Sequence, residues 1–376
     1  MKRTVQLIDT TLRDGAQAPN VIFSRKEKIH IVNMLSDAGI RLFEAGIPAM
    51  SDQECQDIEQ LRIQFPHCIF IGWCRASTND IQKAHLCGCE AVHLTFPSSP
   101  LHMSIIGTNE NEVLDNIEKL TAYAKKYIAC VSIGAQDASR ASMDFLLKFV
   151  NRAHLSGCSH IRIADTVGIL SPVRTIQLIS LLNKENPGFP IEFHGHNDLG
   201  MATANTITAL EAGAELASVT VNGIGERAGN AALEDVVMSI KCATDLNISF
   251  DFSKLNSICK KVAAFSKIPI PDSKSVTGKI IFTHESGIHC HGQIKNRSAY
   301  EPYNPQLTGH SESDFKAGSS SGRTGIDSIL KSKGIAITAE NLKKFTNAVK
   351  VYSLQNKRSL NAEETLLLYK NFIDKE

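Results

Sequence analysis

Two histidines separated by one residue, His194 and His196, are the strongest chemical signal in the chain. In an extended strand, residues two positions apart point to the same face, so both imidazoles could bind one metal ion. A third candidate ligand, Asp14, lies in a polar segment near the start of the sequence. A carboxylate beside two imidazoles favours a divalent ion that also accepts oxygen ligands from a substrate. The sequence therefore predicts a metal site if the fold brings residue 14 close to residue 194.

The size and composition of the chain are those of an ordinary globular protein. Its 376 residues exceed one usual hydrophobic core, so we expect one large domain and a smaller C-terminal part. The 40 basic and 39 acidic residues nearly cancel, which gives no indication of nucleic acid or an anionic membrane as a partner. Because we find neither a signal-peptide pattern nor a stretch of 18 apolar residues, we expect a cytosolic protein.

The ten cysteines show no repeated C-x-x-C spacing. In a reducing compartment we expect them to be small buried hydrophobic residues. Cys87 and Cys89 lie close to His85, a grouping that could bind a metal. They follow a helical pattern and precede a β-rich run, however, so we interpret the segment as a helix-to-strand turn.

Eight β-rich runs alternate with helix-length segments along the chain. The helical segments carry start signals, such as Ser24 and Glu27 before 25–38 and a Ser-Pro pair at 171–172. Eight consecutive β-then-α units favour a closed (β/α)8 TIM barrel over an open doubly wound sheet, here with a C-terminal α-rich extension. The β-rich runs are 5–9, 42–45, 69–73, 91–95, 128–133, 160–164, 191–194 and 217–221.

Polar residues concentrate where these runs end. In TIM barrels the chemistry takes place at the C-terminal ends of the strands, and closure makes strands one, seven and eight neighbours. Asp14, His194, His196 and a residue after strand eight could therefore share one ion. The polar residues at this predicted rim are Asp9, Arg13, Asp14, Glu44, Arg75, Asp137, Arg140, Asp165, Thr166, His194, His196, Asn222, Glu226, Arg227 and Asn230.

In combination, six segments resemble the family of 2-isopropylmalate, homocitrate and citramalate synthases. Within this family, segments 47–50, 73–75 and 194–205 are most similar to the homocitrate synthase of the nitrogen-fixation type. The six segments are DTTLRDG (9–15), EAGIP (44–48), ADTVG (164–168), HGHND (194–198), NGIGERAGN (222–230) and THESGIH (283–289).

This resemblance implies a metal-dependent site for a 2-oxo acid. Arg13 is expected to stabilise the alkoxide that develops on the keto oxygen. The divalent cation, which could be Mg²⁺, Mn²⁺ or Zn²⁺, would polarise the keto group. Its implied ligands are Asp14, His194, His196 and Asn230. The implied substrate-binding residues are Gln17, Glu44, Arg75, Gln136 and Thr166.

The resemblance also implies acetyl-CoA as the second substrate. Its methyl group must lose a proton, and His289, with Glu285 and Tyr300, is the expected proton-transfer group. We expect three parts: a catalytic barrel (1–265), a linker subdomain (266–325) and a small helical subdomain (326–376). In this family the linker covers the active site of the partner subunit, so a domain-swapped homodimer is expected.

Four segments depart from the family pattern, and most lie in the acetyl-CoA half of the site. Where the family usually has Gly-Glu-Gln, this chain has GAQ at 15–17. Where the family usually has Glu-Asp-Ala-Ser-Arg, this chain has Gln136 in place of the glutamate. An amide at position 136 can form hydrogen bonds but cannot act as a base. The usual Ile-His-x-Asp-Gly has His291 in place of the aspartate, and the usual Gly-Lys-His-Ser-Gly is GSSSG at 318–322, with Ser319 and Ser320 at its centre.

The expected activity is the condensation of acetyl-CoA with a 2-oxo acid followed by thioester hydrolysis, with 2-oxoglutarate giving homocitrate as the leading reaction. Small changes in pocket shape would instead suit 2-oxoisovalerate, pyruvate or an unusual 2-oxo acid. Two further hypotheses are a metal-dependent lyase or aldolase on the same barrel and a non-enzymatic paralogue that binds an oxo acid.

Overall fold

A computed structural model describes residues 2–374 of the chain. The chain forms two units, Met1–Ile270 and Pro271–Glu376. Within residues 2–270, eight parallel strands close into a barrel in chain order, and β8 pairs with β1. The predicted (β/α)8 TIM barrel is confirmed. The strands are β1 (Gln6–Asp9), β2 (Leu42–Gly46), β3 (Ile69–Arg75), β4 (Ala91–Pro97), β5 (Cys130–Gln136), β6 (Ile161–Asp165), β7 (Ile191–Gly195) and β8 (Leu216–Val219).

Helices follow each strand, and their first residues carry the start signals seen in the sequence. The Ser24 side chain accepts a hydrogen bond from the Glu27 amide, while the Glu27 carboxylate accepts one from the Ser24 amide. Pro172 occupies the first turn after Ser171. The helices in residues 2–270 are α1 (Arg25–Ala38), α2 (Asp52–Gln64), α3 (Thr78–Leu86), α4 (Pro100–Ile106), α5 (Glu110–Ala124), α6 (Met143–Leu155), α7 (Pro172–Glu185), α8 (Ala202–Glu211), α9 (Leu233–Ala243) and α10 (Leu255–Ser266).

The barrel interior is apolar at its N-terminal end. Because side chains alternate between the two faces of a strand, the next inward residue on each strand lies two positions further along. These residues form a second layer, which lies closer to the C-terminal rim than the apolar layer. The apolar layer consists of Ile8, Ile71, Ala91 and Leu216, with Leu42 and Cys130 packed against it.

The second layer contains buried ion pairs. Arg162 donates through Nη2 to Glu44 Oε1 at 2.6 Å and through Nε to Glu192 Oε1 at 2.8 Å. All three side chains are almost completely buried. Burial alone would raise the pKa of both carboxyls, but the neighbouring guanidinium charges outweigh it and hold both below the usual value. Each buried charge is therefore neutralised by a partner.

Two cysteines behave differently from the sequence expectation. Cys55 on α2 and Cys87 after α3 form a disulfide, so the expectation that every cysteine is an unpaired hydrophobe is wrong for this pair. Their Cα atoms lie 5.1 Å apart because α2 and α3 are neighbours on the outside of the barrel, a proximity that sequence spacing does not reveal. The interpretation of 87–89 as a helix-to-strand turn is confirmed, since α3 ends at Leu86 and β4 begins at Ala91.

The second unit is mostly helical, which confirms the expected C-terminal α-rich extension. Its core contains Ile326, Leu330, Phe345 and Val349. Within residues 2–374, no helix combines the length and the apolar character that crossing a membrane requires. The elements of this unit are β9 (Thr283–His284), α11 (Gly287–Lys295), β10 (Asp314–Phe315), α12 (Arg323–Ser332), α13 (Ala339–Asn356) and α14 (Ala362–Ile373).

Replacing Glu192 with glutamine should destabilise the barrel strongly. The variant removes one of the two carboxylate charges that neutralise Arg162, and such a loss in a buried ion pair costs on the order of 3 kcal/mol. Equilibrium denaturation by urea measures this free energy of unfolding. Glu363→Gln is the matched control, because Glu363 is 73% exposed in its pair with Lys333 and should lose less than about 1 kcal/mol. Equal losses in the two variants would show that the interior pair has no special role.

Candidate active site

Three side chains that could bind a metal converge at the C-terminal rim of the barrel. Asp14 follows β1, His194 lies on β7, and His196 directly follows β7. Asp14 Oδ2 lies 3.2 Å from His194 Nε2 and 3.9 Å from His196 Nε2, and the two Nε2 atoms are 3.2 Å apart. All three residues are buried, and their ligand atoms lie within 4.8 Å of one another. Barrel closure thus brings together residues that are 180 positions apart in the chain.

Asn230 borders this cluster. Its Nδ2 donates to the Ile224 carbonyl at 3.1 Å, which leaves Oδ1 as an acceptor. Among residues 2–374, neither Asn230 Oδ1 nor Asp14 Oδ1 has a hydrogen-bond partner, although both atoms are buried. Gly225 lies against both side chains, because a Cβ there would approach Asn230 Nδ2 to 2.2 Å and Asp14 Oδ1 to 3.3 Å. Buried oxygens without partners beside two imidazoles fit a divalent cation.

The protonation states of the cluster also suit a cation. Burial is the main cause that lowers the pKa of His196 to about 4, and the neighbouring His194 ring adds to it. Burial opposes ionisation of Asp14, but Arg13 and the two histidines outweigh it and hold the pKa of Asp14 well below its usual range. At neutral pH, His196 therefore offers a lone pair and Asp14 a negative charge, which are the forms that bind metals.

Arg13 is fixed beside the cluster by buried carboxylates. Its Nη1 lies 3.0 Å from Asp14 Oδ2 and 3.4 Å from Gln17 Oε1, and its Nε donates to Glu44 Oε2 at 2.5 Å. Glu44 is fully buried, and its other oxygen accepts from Arg162. Glu44 therefore orients Arg13 from below and does not itself face the cavity.

A cavity of about 240 Å³ opens above these residues. Most of the residues that the sequence singled out for the metal and the oxo acid line it, whereas Glu44, Arg75 and Asn230 do not. Thr166 accepts a hydrogen bond at Oγ1 from the Asp137 amide at 2.9 Å. The predicted residues that line the cavity are Arg13, Asp14, Gln17, Gln136, Thr166, His194 and His196.

Arg75 does not line this cavity. Its side chain is 67% exposed and forms a two-pronged ion pair with Asp80, with both N–O distances at 2.9 Å. Asp80 lies in the first turn of α3, so this pair fixes the loop between β3 and α3.

Sequence reasoning did not select His93, Thr95 or Arg162, yet all three line the cavity. The signal was available in the strand alternation: Ala91, His93 and Thr95 occupy every second position of β4, so they share the inward face. Arg162 is a charged residue between two isoleucines inside strand β6, which also indicates a special role.

The second unit contains the predicted proton-transfer residues. His289 lies on α11, and its ring stacks on that of Tyr300 with centroids 4.2 Å apart. Gly292 permits this contact, because a Cβ there would approach the Tyr300 ring to 2.5 Å. Glu285 accepts a hydrogen bond from the Ser320 amide at 3.1 Å and another from the Ser359 hydroxyl.

Comparison with known families identifies the family to which this chain belongs. The HMGL-like family model matches residues 4–262, and the model named homocitrate synthase post-HMGL domain-like matches residues 276–357. The first match alone spans more than half of the chain, so the protein belongs to the HMGL-like family.

Curated relatives match along nearly the whole chain. The 2-isopropylmalate synthase 2 of Caldanaerobacter subterraneus subsp. tengcongensis is 38% identical over 99% of this chain and 97% of its own length. Homocitrate synthase 1 of Nostoc sp. is 38% identical over 97% of each chain. The (R)-citramalate synthase of Methanocaldococcus jannaschii is 37% identical over 93% of this chain and 71% of its own length. The resemblance to this group of synthases is confirmed, and the relatives bear the names of three different synthases.

Solved structures share the barrel. The HMG-CoA lyase of Bacillus subtilis superposes with a TM-score of 0.63 at 20% identity, covering 72% of this chain and 96% of that one. The carboxyl transferase domain of Rhizobium etli pyruvate carboxylase gives a TM-score of 0.58 at 17% identity, covering 70% of this chain and 47% of that one. At these identities the likeness concerns the fold alone.

The rim cluster should bind one divalent cation per chain. Titration of the metal-free protein with Mn²⁺ in a calorimeter measures its Kd. Asp14→Asn and His196→Ala each remove a ligand, and we expect each to weaken binding at least about tenfold. His85→Ala changes an exposed histidine on α3 and should leave the Kd unchanged. Unchanged Mn²⁺ affinity in both ligand variants would refute the site.

Proposed function

We propose that this protein condenses acetyl-CoA with a 2-oxo acid and hydrolyses the resulting thioester to release a 2-hydroxy acid and free CoA. The observation that carries this proposal is the buried cluster of Asp14, His194 and His196, with Arg13 beside it, at the rim of the barrel. The likeness to three synthases, each over more than nine-tenths of this chain, supports it.

The residues of the barrel would activate the oxo acid. Asp14, His194, His196 and Asn230 would hold a divalent cation, which when bound polarises the keto group of the acceptor. Arg13 supplies a fixed guanidinium beside that point and stabilises the negative charge that forms on the keto oxygen. Because Glu44 already orients Arg13, little rearrangement is needed during the reaction.

The residues of the second unit would move the protons. His289 takes a proton from the acetyl methyl group, and the resulting enolate carbon attacks the keto carbon of the acceptor. Tyr300 stacks on His289 and fixes its ring plane, while Glu285 organises the 318–321 turn through Ser320. In a domain-swapped homodimer, these groups would come from the partner subunit.

We propose 2-oxoglutarate as the acceptor, which would make homocitrate the product. The motif resemblance to homocitrate synthase of the nitrogen-fixation type supports this choice. The 2-isopropylmalate and citramalate reactions differ only in the side chain of the acceptor, so they are the alternatives that a direct assay must separate.

An acceptor panel tests the activity. The protein is mixed with Mn²⁺ or Mg²⁺, acetyl-CoA and one of 2-oxoglutarate, 2-oxoisovalerate or pyruvate. The release of free thiol is measured over time, and the product is identified by mass spectrometry. We expect acceptor-dependent thiol release, fastest with 2-oxoglutarate. No thiol release with any acceptor would refute the synthase proposal. Cleavage of a supplied 2-hydroxy acid or hydroxyacyl-CoA without condensation would instead favour a lyase.

Arg13→Lys should lower kcat about 100-fold while changing the KM for the oxo acid much less. Lysine keeps the charge but cannot donate to Glu44 and to the developing alkoxide in the geometry of the guanidinium fork. Steady-state kinetics at saturating acetyl-CoA separates the two constants. Arg174→Lys, an exposed position on α7, is the matched control. A large rise in KM with unchanged kcat would assign Arg13 to ground-state binding instead.

A further inference from the structure

His93 lines the cavity although it is only 1% exposed. It lies on β4, which is half-way around the barrel from β8, whereas the candidate metal ligands lie on and beside β7, β8 and β1. His93 therefore lies across the barrel from the candidate metal ligands. If those ligands hold the keto group, the side chain of a 2-oxo acid would extend toward His93.

The hydrogen bonds around Ser132 favour one tautomer of His93. Nδ1 lies 2.9 Å from Ser132 Oγ, and Ser132 Oγ lies 3.3 Å from the Val92 carbonyl oxygen. Ser132 has one hydroxyl hydrogen, and when it donates this hydrogen to the Val92 carbonyl, it accepts a hydrogen bond from the His93 Nδ1–H. In the neutral ring, Nε2 then carries a lone pair.

Nε2 faces the bare Cα of Gly134. A Cβ at Gly134 would lie 2.4 Å from His93 Nε2 and 3.6 Å from Thr95 Oγ1. Among residues 2–374, Thr95 Oγ1 is buried without a partner, and the only hydrogen bond found for the His93 ring is that of Nδ1. An imidazole lone pair and a hydroxyl are thus both available to a ligand at this end.

Among the described residues, no cationic side chain that lines the cavity lacks an ion-pair partner. Three arginines line the cavity, and each is engaged in an ion pair, so a side-chain carboxylate would find no free positive charge there. The pairs are Arg13 with Asp14 and Glu44, Arg162 with Glu44 and Glu192, and Arg227 with Asp198.

The groups packed around His93 keep it neutral in the free protein. Burial is the main cause of a pKa well below the usual value, and the positive charge of Arg162 adds to it. The neighbours on β3 and β5, Trp73 and Ser132, carry no charge. The other charged or titratable groups that act on His93 are Glu192, which opposes the shift, and His160 and Arg13, which support it.

We propose that His93 recognises the side chain of the 2-oxo acid substrate, and that a 2-oxo dicarboxylic acid such as 2-oxoglutarate binds with the uptake of one proton at His93 Nε2. The proton comes from solvent, and the imidazolium donates a hydrogen bond to the distal carboxylate, with Thr95 donating a second. An acceptor with an uncharged side chain binds without proton uptake. This inference rests on the proposed function, because it assumes that the cavity binds a 2-oxo acid.

Calorimetric titration of the Mn²⁺-loaded protein, without acetyl-CoA, tests the proposal between pH 6.5 and 8.5. The ratio of the affinities for 2-oxoglutarate and 2-oxobutyrate is the readout, because the pH dependence of the metal site affects both ligands equally. We expect this ratio to fall about tenfold per pH unit, as the uptake of one proton requires. Titrations in buffers of different ionisation enthalpy should give one proton taken up per 2-oxoglutarate and none per 2-oxobutyrate.

His93→Asn removes the titrating group, so we expect a ratio that no longer changes with pH, whereas His85→Asn should keep the wild-type slope. If His93→Asn does not fold, the pH dependence of the affinity ratio in the wild-type protein still tests the proposal. A pH-independent ratio in the wild type, or no binding of 2-oxoglutarate at any pH in this range, would overturn the proposal. Because binding requires no condensation, a protein that shows the slope but releases no thiol would refute the proposed synthase activity alone.

Discussion

The buried ion pairs around Glu44 connect the interior of the barrel to the candidate active site. One oxygen of this carboxylate accepts from Arg13 near the rim, and the other accepts from Arg162 in the layer below. Loss of one member would leave a buried charge without its partner, at a cost on the order of 3–5 kcal/mol. The position of Arg13 is therefore determined by the barrel interior as well as by the loop that follows β1.

The same pairing gives the two ends of the cavity different chemistry. The end with the candidate metal ligands combines Asp14, His194 and His196 with a guanidinium that carboxylates fix in place. At the opposite end, Arg162 is neutralised by Glu44 and Glu192, and the buried His93 ring is uncharged in the free protein. If a 2-oxo acid binds here as we propose, its side chain would be selected by hydrogen bonds and by the one titratable ring of His93.

Features that depend on local patterning could be predicted from the sequence. The eight strands follow from β-rich runs separated by helix-length segments, and the start of α1 follows from Ser24 and Glu27. The convergence of Asp14 with His194 also follows once the barrel is assumed, because closure places β1 and β7 on either side of β8. In these cases the fold adds only one piece of information to the sequence, the order of strands around the barrel.

Features that depend on the direction of a side chain or on contacts between distant elements could not be predicted in this way. Arg75 ends a strand at the correct rim, but its guanidinium binds Asp80 in the next helix, and Arg75 does not line the cavity. Cys55 and Cys87 meet because two surface helices are neighbours. His93 lies within a strand, and its importance depends on Gly134 of the adjacent strand having no side chain to cover Nε2. A glycine and a buried histidine on neighbouring strands, each unremarkable alone, together create an accessible acceptor atom inside the barrel.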